Sequence, residues 1–567
     1  MPNLKLSLIS LVLIVLLSGC APSSNRFSQG SPTPEVENDP FWSNATVYFM
    51  LTDRFHNGET TNDLTLERGT NGAVLRNFMG GDIAGVTQKI REGYFNNLGV
   101  DVIWMTPVYE QIHGYWEDDW GDSYPFHGYW PLDWTAVDPN FGTEAQMQEM
   151  IDAAHDKGIR VLADVILNHT GPATKKDPAW PSDWIRTRPL CNWSIHNFEN
   201  TVECALAPSL TDIKTESDVP VALPKFLLAK WKREGRLDQE LAELDEFFSR
   251  TKLPRAPKNY IIKWITDWVR DHGIDGFRVD TAKHVEPELW RIVKQEGVTA
   301  LEQWRDKNPT KALGNKPFFM LGEVYEFGLD GFKYTPKGTR KYDYGDRQVD
   351  FFDHGFDALI NMGFASHARR PIQDLYALYS RELNSDMFAG KTVLNYLVSH
   401  DDPEPYDKDR KDPYEAAIKL LLAPGAAQIY YGDELARPLF AEGAIGDAHW
   451  RVPMNWVDLE NQETKNLLLH WQKLGQFRKA YPAVGAGKHT QLQAEPFIFS
   501  RKLKQRGFTS EVLVALGLPN GEKSIPLFDR FADGTKVKDH YSGNVMTVTN
   551  GAITLDTPFG ITLLAPL

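Results

Sequence analysis

Arg278 and Asp280 stand two residues apart in Gly276-Phe277-Arg278-Val279-Asp280, a run that reads as the end of a buried strand. Side chains alternate along a strand with period two, so both point to one side. A cation beside a carboxylate favours the ionised form, which a nucleophilic aspartate needs. Alone, the pair would equally fit a structural ion pair at a sheet edge. Two further acids close similar apolar runs: Glu323 ends Phe318-Phe319-Met320-Leu321-Gly322, and Asp401 follows Val393-Leu394-Asn395-Tyr396-Leu397-Val398-Ser399-His400. His169 ends a third run, Gly158 to Asn168. Two carboxyl groups flanking a bond, one ionised and one protonated, are the arrangement that glycoside hydrolysis uses.

These residues must be positioned by a repeating unit. Val47-Tyr48-Phe49-Met50-Leu51 and Gly99-Val100-Asp101-Val102-Ile103-Trp104-Met105 read as earlier buried strands, and Gly425-Ala426-Ala427-Gln428-Ile429-Tyr430 as a last one. Helical patterns lie between them: Met147, Met150, Ile151 and Ala154 fall on one face of 143–157, and Ile261, Ile262, Trp264, Ile265 and Trp268 mark 259–272. One strand is missing from the count, and Val349–Asp353 is the candidate. Eight strands alternating with helices make an α/β fold of the (β/α)8 TIM barrel type, whose chemistry sits at the C-terminal ends of the strands. The stretch from Asp164 to Asp280 is too long for one helix and return. It predicts an inserted subdomain after strand 3, at 170–255, with a charged helical stretch over 225–250. The barrel then comprises 41–169 and 256–485. Beyond 486, short strands broken by turns such as Pro519-Asn520-Gly521-Glu522 predict a C-terminal antiparallel β domain at 486–567.

Composition excludes little else. The chain has 567 residues, 42% apolar and 24% charged, with a net charge of −15. That charge argues against nucleic acid as a partner, because phosphate binding needs a basic face. The 17 Trp and 20 Tyr suit sugar stacking, but they are also ordinary core material. Asn57-Gly58-Glu59-Thr60-Thr61-Asn62-Asp63, with Gly80-Gly81-Asp82 beyond it, is dense in oxygen ligands and reads as a calcium loop or a solvated turn.

The N-terminus reads as a targeting segment. Lys5 precedes an apolar run from Leu6 to Leu17, too short to span a bilayer comfortably, which ends in Leu17-Ser18-Gly19-Cys20. Those small residues before a cysteine resemble the bacterial lipoprotein cleavage box. That resemblance makes 1–20 a lipoprotein signal peptide and Cys20 the lipidated N-terminus, and the Ser- and Pro-rich 21–40 reads as a flexible tether. The chain is then expected to be exported and held at a membrane by that anchor only, in the periplasm or at the cell surface, with the outer membrane favoured because Ala21 and not an aspartate follows the cysteine. Cys191 and Cys204 remain, and an even count in an exported chain favours a disulfide over two buried thiols.

The motifs together resemble the α-amylase family of glycoside hydrolases. They are Asp164-Val165-Ile166-Leu167-Asn168-His169, Gly276-Phe277-Arg278-Val279-Asp280, Gly322-Glu323-Val324 and Ser399-His400-Asp401, in family order. The resemblance runs from about Val47 to Leu567 and is strongest to periplasmic maltodextrin-degrading α-amylases. It implies Asp280 as nucleophile, Glu323 as general acid/base and Asp401 as the third acid, which holds sugar hydroxyls. It implies sugar contacts for His169, His400 and Arg278, a stacking platform at Tyr129, and a leaving-group contact for Lys283 and His284. The implied activity is retaining endo-hydrolysis of α-1,4 bonds in starch or maltodextrin. A cyclodextrin or neopullulan hydrolase or a glucanotransferase is the alternative within the family, and a glucan-binding lipoprotein is the non-enzyme alternative. Calcium is the implied cofactor, on Asn57, Glu59, Asn62, Asp63, Gly80 and Asp82. A second, inter-domain calcium is expected to be weakened, because Ser209 stands where relatives carry an acid in a Leu-Pro-Asp-Leu segment, leaving Asn168 and the His284 backbone. Asp402, directly after Asp401, departs from the pattern.

Overall fold

The computed structural model describes residues 39–567 apart from Asp118, Pro403 and Arg506. The leader at 1–20 with Cys20, and the tether up to residue 38, lie outside the described residues. Eight strands make a closed barrel: β1 (Thr46–Met50), β2 (Val102–Met105), β3 (Arg160–Val165), β4 (Gly276–Val279), β5 (Phe319–Gly322), β6 (Ala358–Asn361), β7 (Thr392–Tyr396) and β8 (Ala426–Tyr430). Each pairs in parallel with its sequence neighbours, and β1 closes on β8 with Thr46 opposite Ala427. All eight strands are short and almost wholly buried, as parallel strands covered by helices must be.

The crossover helices form where apolar periodicity and end signals coincide. Glu144–Asp156 starts from a capping box in which Thr143 and Gln146 satisfy each other's backbone N–H groups, and it buries Met147, Met150, Ile151 and Ala154. Pro257–His272 has proline in its first turn and ends at Gly273, whose φ of 79° places it in the left-handed region. A Cβ at Gly273 would meet the Trp304 ring at 2.3 Å, so close packing as well as φ selects glycine. Between β5 and β6 the connection carries only a 3-10 turn, Phe351–His354, and a two-residue hairpin pairing Tyr342–Asp343 with Gln348–Val349. This corrects the sequence assignment of Val349–Asp353 to the barrel. The sixth strand is Ala358–Asn361, and a four-residue apolar run has no periodicity to set it apart from the aromatic run before it.

A further correction concerns the start of the insert. His169 lies beyond β3, in a two-residue strand, His169–Thr170, that pairs with Thr211–Ile213; Ile185–Arg186 completes that small sheet. The charged stretch is two helices, Lys225–Arg233 and Leu237–Thr251, parted at Gly235 with φ 77°. Cys191 and Cys204 are joined as a disulfide, with Cα atoms 5.0 Å apart. At the C-terminus, a six-stranded antiparallel sheet, beginning at Lys488–Gln493 and Phe497–Gln505, packs with the pair Gly521–Pro526 and Ala552–Thr557 around its own core, which includes Ile498, Leu513, Ile525, Ile553 and Leu564. Residues 40–567 nevertheless form one compact unit. Among the described residues no helix is long and apolar enough to cross a membrane.

Arg478, fully buried in the final barrel helix Gln462–Ala480, ties that helix to the bottom of the barrel. It donates to the carbonyls of Asn44, Leu421, Ala423 and Gly425. Arg478→Met should leave those acceptors buried and unpaired, at a cost on the order of 3 kcal/mol. Thermal or denaturant unfolding measures it; an unchanged midpoint would show that the guanidinium is not a structural tie.

Candidate active site

β4 delivers Arg278 into the C-terminal end of the barrel, where its 1%-exposed guanidinium meets three carboxylates. Nη1 donates to Asp164 Oδ1 at 2.9 Å and to Asp280 Oδ1 at 2.9 Å; Nη2 donates to Glu323 Oε2 at 2.7 Å. Asp164 comes from β3 and Glu323 from the end of β5, so strands on both sides of β4 converge on it. Asp164 is held further by the Trp104 indole N–H at 2.9 Å and the Tyr129 hydroxyl at 2.9 Å. Glu323 also accepts the backbone N–H of Thr281, a residue with φ 49°. Asp280 Oδ2 is buried and carries no hydrogen bond, leaving one oxygen of the predicted nucleophile free to react.

The acids are set apart by their surroundings. Burial raises Glu323 to about 7, against Arg278, with Asp280 and Asp401 adding to the rise. Burial also raises Asp280, to about 6; Arg278 opposes it and Asp164 adds to it. At Asp401 burial works upward but loses to His400, whose Nε2 lies 2.8 Å from Oδ2, and to Arg451, whose Nη2 lies 2.6 Å from Oδ1. With 41% of its side chain exposed to the cleft, Asp401 stays ionised well below the usual carboxylate range. One acid that holds a proton near neutrality beside others that do not is the division of labour general acid catalysis requires.

The Tyr129 ring stacks on His400 at 5.4 Å and 15° and lies parallel to His127 at 5.9 Å. His169 Nε2 lies 3.2 Å from the Tyr129 carbonyl, and burial lowers its pKa to about 4, so the ring is neutral at pH 7 and donates to that carbonyl. Lys283 donates to the Tyr342 hydroxyl at 2.9 Å and lies 5.3 Å from the Tyr325 ring, and burial brings it down to about 8. His284 turns inward, its Nδ1 2.7 Å from the Thr201 carbonyl; burial, then Lys283, lowers its pKa to about 3. Arg451, Trp104 and His127 were not among the sequence candidates, and Asp164 was noted only as the start of a motif. Asp164 carried a usable signal, being an acid inside a buried strand. Arg451 had none, because it lies 50 residues after Asp401 in a 3-10 helix.

Two places could hold a hard cation. Around Asn57, the Asn57 Nδ2 donates to Asp63 Oδ1 at 2.8 Å, and a Cβ at Gly80 would meet these two atoms at 2.3 and 2.7 Å. Asn57 Oδ1 and Asn62 Oδ1 are buried acceptors without a partner. Asp82 is already engaged, accepting the N–H groups of Gly58, Glu59 and Gly85. Glu59 turns away, its fully exposed carboxylate accepting from Thr61, so only its backbone carbonyl remains for the loop. The second place lies in the insert. Leu210-Thr211-Asp212-Ile213 carries an acid three residues after Ser209, on the strand paired with His169. Asp212 Oδ1 and Asn168 Oδ1 are buried and unpartnered. Burial pushes Asp212 up to about 9, against Arg186 and with Glu216, Glu286 and Glu203 adding. Arg186 Nε approaches Asp212 Oδ2 to 2.8 Å, off the hydrogen-bonding direction. A cation among these oxygens would reverse the cost of that burial. Among the described residues no three His, Cys, Asp or Glu converge as a ready-made cage, so amide and backbone oxygens must contribute at either place.

The model of the α-amylase catalytic domain matches residues 49–456, which contain every acid described above. The chain belongs to the α-amylase family. It is 36% identical over 511 residues to a periplasmic α-amylase of Escherichia coli (strain K12), covering 80% of this chain and 69% of that one. It is 25% identical to a cyclomaltodextrinase of a Bacillus species, over 81% and 70%. The α-amylase of Geobacillus thermoleovorans, solved with acarbose, shares the fold at a TM-score of 0.62 and 18% identity, over 92% of this chain and 99% of that one. The chain is accordingly a glycoside hydrolase acting on α-glucans.

Because Glu323 is raised from 4.5 to about 7 in the fold, its neutral form stabilises the fold at acid pH, and that contribution is lost as pH rises through 7. Glu323→Gln, neutral throughout, should therefore melt higher than the wild type at pH 8 and close to it at pH 4. Equal differences at the two pH values would show that Glu323 is not raised.

Proposed function

We propose that this amylase hydrolyses internal α-1,4 bonds of starch or maltodextrin with retention of configuration. The observation that carries the reading is the single guanidinium shared by Asp164, Asp280 and Glu323. Asp280, with one oxygen on Arg278 and the other free, attacks the anomeric carbon. Glu323, protonated near neutrality, gives its proton to the leaving oxygen. As the glycosyl–Asp280 ester is hydrolysed, Glu323, now ionised, takes a proton from the attacking water. Asp401, held ionised by His400 and Arg451, accepts hydrogen bonds from sugar hydroxyls and favours the distorted ring. Tyr129 and His400 flank that sugar, His169 braces Tyr129, and Lys283 and His284 stand on the leaving-group side. The Lys283-His284 pair and the name of the Escherichia coli relative favour α-1,4-glucan over the ring-opening or transferring alternatives.

Calcium is proposed at both oxygen sites, held by Asn57, Asn62, Asp63 and the Glu59 and Gly80 carbonyls, and by Asn168 and Asp212 with the His284 carbonyl. When bound it would supply charge compensation and rigidity and take no part in bond cleavage. The leader, Cys20 and the periplasmic relative support export and lipid anchoring at the cell envelope. Stable anchoring needs at least two acyl chains.

Asp280→Asn should cut kcat on maltoheptaose by about 10⁴-fold or more without lowering the melting temperature. Near-normal turnover would sink the mechanism. The wild-type kcat/KM should describe a narrow bell, falling below about pH 6 as Asp280 protonates and above about pH 7 as Glu323 ionises. Chelation should lower the melting temperature by removing a ligand bound only by the native state. Asp63→Ala should blunt part of that response and Asp212→Ala another part; a chelator effect unaltered in both variants would remove calcium from these positions.

A further inference from the structure

A groove of about 470 Å³ opens beside Asp401, lined by Tyr325, Trp120, Phe440, His449 and Trp450. Its aromatic rings are unusual for a surface. Phe440 is 66% exposed and Trp120 46% exposed, although each is fixed from behind. The Phe440 ring lies flat on His449 at 4.7 Å and 12°, and the N–H of Ala441 donates to His449 Nδ1 at 3.4 Å. The Arg76 guanidinium lies 5.2 Å from the Trp120 ring. Gly446, with φ 63°, backs the indole, and a Cβ there would already stand 3.3 Å from the ring. A chain of charges joins this wall to the catalytic acid: Arg76 pairs with Asp447, Asp447 with Arg451, and Arg451 with Asp401.

Rigid, exposed aromatic faces with charged groups at their rims match the chemistry of a glucan chain. Each pyranose ring presents an apolar C–H face and a rim of hydroxyls, so it can stack on a ring and hydrogen-bond at the edge. Because the groove is continuous with Asp401, a glucan bound at the acids has its next rings there. A protein seated on the same wall would cover the acid. We propose that Phe440 and Trp120 form a sugar-binding wall that extends the cleft on the Asp401 side and makes the enzyme prefer longer chains. This rests on the α-glucan hydrolase reading.

The test compares kcat/KM on maltotriose and maltoheptaose for the wild type, Phe440→Ala and Phe440→Trp. Phe440 makes little of the core, so the melting temperature should hold. The ratio of kcat/KM for maltoheptaose to that for maltotriose should fall about fivefold in Phe440→Ala, equivalent to about 1 kcal/mol of lost stacking, and return in Phe440→Trp. Equal losses on both substrates, or no loss on either, would overturn the wall. A wild type inactive on both substrates would instead overturn the hydrolase reading beneath it.

Discussion

The structure depends on one buried cation. Arg278 sits at the centre of the barrel mouth with Asp164, Asp280 and Glu323 around it. Three carboxylates gathered in a low-dielectric space would repel one another and lose their hydration, each at a cost of several kcal/mol. A planar guanidinium, with donors in a fixed fork, can serve three acids from three strands at once; a lysine ammonium could not match that geometry. The compensation is incomplete, since burial still lifts Asp280 and Glu323 above their ordinary values. That residue of strain is what makes one of them an acid at neutral pH. The site is built from the destabilisation it carries.

A second arginine sets the other half of the mouth. Arg451 reaches Asp401 from a segment after β8 and shares Asp447 with Arg76, which comes from the loop between β1 and β2. The first and last units of the barrel, neighbours where the sheet closes, are thereby also joined by charge. The two arginines act in opposite senses: Arg278 divides its charge among three acids and leaves them raised, whereas Arg451, shared between Asp447 and Asp401, acts with His400 to leave the exposed Asp401 depressed. Glu323 and Asp401 therefore differ in protonation near neutrality.

The insert serves the site from outside the barrel. Its small sheet begins at His169 and carries Asp212 on the neighbouring strand, so the sheet that positions a residue against Tyr129 also holds an unpartnered carboxylate oxygen. A metal there would tie the insert to the His169 strand. The C-terminal sheet turns one face to a core of its own and packs the other, through Phe497, Phe499, Val514 and Leu563, into the core of the barrel.

The sequence by itself determined the parts whose signal is local. Buried strands of the barrel announced themselves by apolar runs ending in acids, the crossover helices by their periodicity, and Arg278 and Asp280 by their period-two spacing on one strand. The α-amylase motifs followed from those same residues. What only the tertiary structure decided were relations between distant segments. β6 was misplaced, because four apolar residues beside an aromatic run carry no period. Asp164 became a partner of Arg278 only when β3 was laid in register beside β4, and Arg451 became a partner of Asp401 only through the return of the chain after β8. Asp212, three residues after Ser209, came opposite His169 only through strand pairing. Local propensity is written in neighbouring residues, whereas ion pairs and ligand sets are fixed by distances across the fold.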